Sequence, residues 1–219
     1  MNTKPATAWV EFGTRGRMTS ALDREKSRRI MLSSEHRWRV QGLSRDQALE
    51  VRQRWREHVD QLREAGMLLD VVDVLAAYGI RRELTRRGWN HDWPEVPVEA
   101  RISNRWPGAH DGGYPESIPL RLPGDLADRV LSACWHTSSE AIRGIREWSA
   151  ELGIPVPRRP PSTVGEDALA EYERLAAQVT TVGDIYRAGL KHGIGTAESL
   201  SLRQERLPEP SEVSVQDGN

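Results

Sequence analysis

The chain has 219 residues and a formal net charge of −1, with 37% hydrophobic and 29% charged residues, a size that suits one ordinary domain or two small ones. Leu, Ile, Val and Phe number 46, or 21%, just above the ~20% below which a highly charged chain tends to stay unfolded. Parts of the chain are therefore expected outside the core, and the near-zero charge removes the simplest basis for non-specific attraction to nucleic acid or membrane while leaving room for a local basic patch.

Three further counts are informative. Of 31 basic residues only Lys4, Lys26 and Lys191 are lysine, which together with abundant Ala, Gly and Pro points to G+C-rich coding and a bacterial source of that type. Eight Trp stand against one Phe, and Trp is frequent at interfaces. The lone Cys134 excludes an internal disulfide and a Cys-based zinc site. No apolar run approaches the ~20 residues that span a bilayer, and MNTKPATAWVEFGTRGRM carries no secretory apolar stretch. A soluble, cytoplasmic chain is the expectation.

Residues 1–43 hold nine basic and four acidic residues and few apolar ones. They read as a basic N-terminal arm, with Arg15, Arg17, Arg28 and Arg29 as candidate phosphate contacts, or as a solvated leader with a short helix near Asp23 to Ile30. Residues 44–90 read as a helical module. Ser44 and Gln47 have capping-box spacing, and Ala48, Val51, Trp55, Val59 and Leu62 predict an amphipathic helix ending at Gly66. A more apolar helix is expected from Met67 to Tyr78, closed by Gly79, then a short basic one over about 81–87. That order suggests a helix-turn-helix, but two turns between Gly79 and Gly88 give a recognition helix little to seat on, so a plain helical hairpin is favoured. Residues 91–116, rich in Trp, Pro and Gly, read as a connection and a possible surface for a protein partner. Val96, Val98, Ala100 and Ile102 alternate there as in a short edge strand. The pairs His91-Asp92 and His110-Asp111 lack the further ligands that a metal or acid–base site needs.

Residues 117–152 carry the clearest pattern. Ile118, Leu120 and Leu122 alternate with Ser117, Pro119 and Arg121, which places the two sets on opposite faces of a strand. Pro123 then opens a helix to His136, and Thr137-Ser138-Ser139-Glu140 has the spacing of a second capping box before another helix that puts Ile142, Ile145 and Leu152 inward. The predicted fold is thus mainly α, helical modules with one short strand preceding a helix-turn-helix pair. Such a unit cannot bury its own apolar face and needs a partner.

The order and the wording IPLRLPGDLADRV…TSSEAIRGIREW resemble the ribbon-helix-helix family of DNA-binding regulators and plasmid-encoded antitoxin, partition and relaxosome proteins. The resemblance implies a homodimer whose two strands pair and enter the major groove. It makes Ser117, Pro119 and Arg121 the base-reading positions, and gives a phosphate to the backbone donors at Thr137 and Ser138. The sequence departs from the family in a shorter first helix, in Pro119 at a reading position and in its acidic balance.

After Gly153 come four prolines in seven residues, a linker over 153–163. A helical hairpin is expected over 164–195, with helices from Glu166 to Val179 and Val182 to Lys191. An acidic tail over 196–219 follows, its last dozen residues expected to be disordered. Residues 126–143 and 169–186 match at five positions offset by 43, which suggests a repeat. No phosphate loop, nucleophile elbow or ligand cluster is present, Cys134 reads as a structural thiol, and no enzyme activity or cofactor is expected. The function expected is a DNA-binding regulatory or accessory protein, serving a plasmid or other mobile element. The alternative is a non-catalytic helical module for protein–protein interaction.

Overall fold

The computed structural model describes residues 2–37, 42–98, 106–108, 113–157 and 164–205. Its two strands lie far apart in sequence and pair with each other: β1 (Thr3–Val10) runs antiparallel to β2 (Glu116–Pro123). Opposed pairs in such a ladder alternately exchange both backbone bonds or neither. Thr3–Pro123, Pro5–Arg121 and Thr7–Pro119 each contain a proline, and they occupy the non-bonded positions. The Arg121 N–H confirms this by donating away from β1, to Asp73 Oδ1 at 2.8 Å. No ladder bond is therefore lost to proline. Ala8, Val10, Ile118, Leu120 and Leu122 point into the core, whereas Pro5, Thr7, Trp9, Pro119 and Arg121 point outward.

Among the described residues six helices accompany this pair, so the protein is mainly helical with a short two-stranded sheet: α1 (Thr14–Arg37), α2 (Arg45–Glu64), α3 (Val72–Arg86), α4 (Gly124–Glu151), α5 (Glu166–Ala176) and α6 (Val182–Glu205). The capping box at α2 forms as its spacing predicts. Ser44 Oγ accepts from Gln47 N, Gln47 Oε1 accepts from Ser44 N, and Gly66 turns the chain with φ +68°. One core joins the inner face of the sheet to α1, α3, α4 and α6 through residues such as Leu22, Ile80, Val130, Ile185 and Leu190. A smaller cluster of Ile145, Trp148, Tyr172, Leu175 and Ala176 joins the end of α4 to α5.

Four expectations are corrected here. Residues 1–43 do not form an arm, because β1 completes the sheet and α1 buries Met18, Ala21 and Leu22. No helix ends at Gly79. Residues 81–86 continue α3, which leaves no separate recognition helix, and α6 likewise runs through Gly193 and Gly195. There is also no turn at Thr137–Glu140, and α4 is one helix of 28 residues. The hydroxyls that could have capped a new helix bond back to the existing one, Thr137 Oγ1 to Ala133 O at 2.7 Å and Ser139 Oγ to His136 O at 3.2 Å. The suggested repeat fails for the same reason. Residues 126–143 lie within one helix, while the chain breaks between α5 and α6 in the second copy.

The glycines that look like helix stops have another use. A Cβ on Gly79 would lie 1.9 Å from the Gly189 carbonyl oxygen, and one on Gly193 would lie 2.5 Å from the Leu75 carbonyl oxygen. The backbones of α3 and α6 thus cross in contact. Beside the crossing, the buried Glu83 carboxylate accepts from Arg86 Nε at 2.7 Å, from Arg87 Nε at 2.5 Å and from His192 Nε2 at 3.0 Å. The hydrogen bonds from Arg86, with those from Arg87 and His192, outweigh the cost of burial and hold its pKa at about 2, from an ordinary 4.5.

Gly79→Ala is expected to lower stability by about 3 kcal/mol in urea unfolding, at the upper end of overpacking effects. Gly195→Ala, where a Cβ meets open space, should be neutral or stabilise by up to about 1 kcal/mol through helix propensity. The depressed pKa of Glu83 contributes stability that is fully present above pH 4.5 and is lost as pH falls toward 2. Glu83→Gln should therefore be less stable than the parent at neutral pH, and the gap between their urea midpoints should narrow across that acid window.

Candidate functional site

Side chains with catalytic potential are engaged in the fold. Burial pushes the Cys134 thiol pKa well above its ordinary range and that of the Tyr186 phenol up to about 12, so neither group ionises near neutrality. Trp93 is flanked by the rings of His91 at 4.2 Å and His136 at 5.9 Å. His136 Nε2 lies 3.0 Å from Pro94 O, and His91 Nδ1 lies 3.0 Å from Asp92 O. These histidines pin the connection against α4. Among the described residues, no group of three or more His, Cys, Asp or Glu could hold a metal ion. His110-Asp111, Ala100 and Ile102 lie outside the described residues, and residues 92–97 form no strand.

The tryptophans of the connection also face inward. Trp106 is buried and packs edge-on against Trp135 at 5.7 Å, and Trp89 meets Trp93 edge-on beneath the Arg87 guanidinium. Among the described residues, the tryptophan that is widely exposed is Trp9, at 55%, next to Phe12 at 86%.

The eight residues predicted to contact DNA separate into two groups. Arg121 and Ser117 are on the outward face of β2, Arg121 exposed opposite Pro5 and Ser117 half-buried opposite Trp9. Arg15 lies beside them at the start of α1, where its backbone N–H donates to Glu116 Oε2 at 3.0 Å and that of Gly13 donates to Glu116 Oε1 at 3.3 Å. The α1 N-terminus is therefore occupied by a carboxylate of the same chain. Among the described residues, the side chains of Arg15 and Arg121 enter no ion pair.

The second group is committed elsewhere. Arg17 pairs with Glu198 at 3.0 Å. Arg28 bonds Glu25 at 3.2 Å and the Met67 carbonyl at 2.7 Å, and Arg29 bonds Asp70 at 2.7 Å. Glu25 and Asp70 are themselves buried. Glu25 accepts from Leu69 N at 3.0 Å, and Asp70 also accepts from Arg63 at 2.9 Å. Arg28 and Arg29 neutralise the carboxylates that fix the turn between α2 and α3 and Arg17 ties α1 to α6, which is the physical reason for correcting their expected role as phosphate contacts. Thr137 and Ser138 lie in mid-helix, where the backbone donors are already bonded. Ser138 is buried, with Oγ accepting from Thr180 N at 2.9 Å and donating to Thr180 O at 3.3 Å.

Sequence reading missed the other half of the outward face, namely Pro5, Thr7 and Trp9. Its signal is the alternation of Ala6, Ala8 and Val10 with those residues, which small side chains make faint. Beside β2, Arg15, Thr19 and Lys26 on α1 line a groove floored by Met18, Leu22 and Ile118 and closed at its far side by Val72 and Pro119. Compared with protein-family models, curated proteins and solved structures, the chain matches none. Among the described residues, no helix is long and apolar enough to cross a membrane.

Ser138→Ala should lower stability by about 1–2 kcal/mol in chemical unfolding, because it leaves the Thr180 backbone donor unsatisfied. Thr137→Ala, at an exposed position, should change stability little or raise it through better helix propensity. Equal effects at the two positions would contradict the assigned role of Ser138.

Proposed function

We propose that the protein is a non-catalytic DNA-binding protein that offers the outward face of the β1–β2 pair to the major groove of a duplex. The observation that carries this reading is Arg121, an exposed guanidinium without an ion-pair partner among the described residues, fixed on a two-stranded antiparallel ribbon. A ribbon of this kind fits the major groove, and a forked guanidinium matches the O6 and N7 acceptors of guanine. Ser117 and Thr7 add hydroxyls on the same face, and Arg15 adds a flanking charge.

The ribbon-helix-helix likeness of the 117–152 sequence supports the strand as the reading element, with two differences of arrangement, the first being that the expected helix pair is the single helix α4. The second is that the partner of β2 is β1 of the same chain, so one copy completes one ribbon, and a homodimer would present two ribbons to a two-fold site. A regulatory or accessory role on a mobile element belongs to this reading through that likeness alone.

A specific observation favours a second reading, in which the same face docks on a protein. Trp9 and Phe12 are exposed at the edge of the ribbon, and exposed aromatic and Arg side chains are the commonest anchors of protein interfaces.

The two readings separate in a fluorescence-anisotropy titration against a panel of short duplexes at low salt. Arg121→Ala should reduce discrimination between the best duplex and a random one by about 10- to 100-fold, the equivalent of one bidentate base contact, with the circular dichroism spectrum unchanged. Absence of binding by the parent protein at low salt would retire the DNA reading and leave the docking one.

A further inference from the structure

We infer that the part of the ribbon around Arg121 recognises a guanine together with a nearby 5-methylpyrimidine, an inference that rests on the DNA reading above and names what that face selects. Pro5, Thr7, Pro119 and Arg121 are all exposed and form two neighbouring opposed pairs, Pro5 with Arg121 and Thr7 with Pro119. Both pairs occupy non-bonded positions of the ladder, where opposed Cα atoms lie about 4.5 Å apart and side chains come closest. The four side chains therefore form one patch, a forked cation beside two proline rings and a threonine. Along β2, Pro119 and Arg121 are about 7 Å apart, close to two base-pair steps of a duplex.

Within the major groove this chemistry is selective. Arg121 matches guanine O6 and N7. Pro119 has no N–H and no polar side-chain atom, so covering the exocyclic amino group of adenine or cytosine with it removes water from that group without replacing it. The 5-methyl group of thymine or 5-methylcytosine is the apolar feature of the groove, and a proline ring covers it without that penalty. Thr7, opposite Pro119, adds a methyl to the same surface and a hydroxyl that can serve the O4 or N4 group beside the base methyl. A proline side chain has no rotamer freedom to lose on contact. Asp73 keeps its charge nearby, but it meets β2 at the strand edge, through Arg121 N at 2.8 Å, whereas the Arg121 side chain stands away from the sheet plane. Selection by base edges does not require a phosphate at that edge.

The test compares, for the full chain, the best duplex of the panel with duplexes in which each thymine in turn is replaced by deoxyuridine, which removes the 5-methyl group alone. One such replacement, within two base pairs of the guanine whose preference is lost in Arg121→Ala, should weaken binding about 4-fold, the effect of one buried methyl group. At that position 5-methylcytosine should bind more tightly than cytosine. If it equals thymine, methylated DNA is a further source of the ligand, and if it falls short of thymine, the unmethylated sequence is the source. In Pro119→Ser, with an unchanged circular dichroism spectrum, thymine and uracil should bind alike while the guanine preference persists, and in Arg121→Ala the reverse should hold. A best duplex without thymine near that guanine, equal binding of thymine and uracil by the parent, or a methyl effect that survives Pro119→Ser would overturn the inference and leave the DNA reading in place. No duplex binding by the parent would overturn both.

Discussion

The contact of α3 with α6 at Gly79, Gly189 and Gly193 is the constraint on which the remaining structure depends. With no Cβ at three facing positions, the two backbones meet directly. The side chains on either side, Leu75, Ile80, Leu84, Leu190 and Ile194, are all buried around the crossing. The arrangement places the start of α3 against the edge of β2, where Asp73 takes the Arg121 donor. It also brings α6 along the corner between β1 and α1, where Arg187 reaches Trp9 O, Lys191 reaches Glu11 and Glu198 reaches Arg17. The ribbon is held from two sides by elements whose separation three glycines set.

Much of the helical content was legible, because it rests on local rules. Ser44 and Gln47 announce α2 by a capping box that forms as expected, and the inward residues of β2 follow from strict alternation. What was not legible depends on partners distant in sequence. A glycine in an apolar stretch reads as a stop, since it weakens a helix by about 1 kcal/mol relative to Ala. At Gly79 that loss is offset by a close approach that only α6 reveals. Thr137-Ser138-Ser139-Glu140 reads as a new helix start for a related reason. A hydroxyl can cap a terminus or bond back within a helix, and which it does is settled by tertiary packing, here by the Ser138–Thr180 contact. The ribbon face was half legible: β2 was evident, and its mate was hidden among basic residues and alanines.

The arginine-rich composition takes on a different meaning in three dimensions. Glu25, Asp70 and Glu83 are buried acids on or beside α1 and α3, and Arg28, Arg29, Arg63, Arg86 and Arg87 surround them. A buried carboxylate needs a charged, well-oriented partner, and the planar fork of arginine supplies one with more donors than lysine. Five of the 31 basic residues therefore serve as counter-charge to buried acids. What remains on the ribbon side is small, and this makes Arg15 and Arg121 individually informative.

The pairing of β1 with β2 also bears on how the chain is made. Residues 3–10 leave the ribosome more than a hundred residues before their strand partner, and the ion pair from Arg17 to Glu198 joins α1 to α6. Local helices such as α2 can form during synthesis. The sheet must wait, because contacts of such long sequence separation carry a loop-closure cost that is met only late. Until residues 116–123 are made β1 is an unpaired strand, and Pro5, which has no N–H to donate, makes it a poorer template for edge pairing with neighbouring nascent chains. Proline at the non-bonded positions thus serves two periods of the protein's life: it leaves the finished ladder intact, and it protects the strand while its mate does not yet exist.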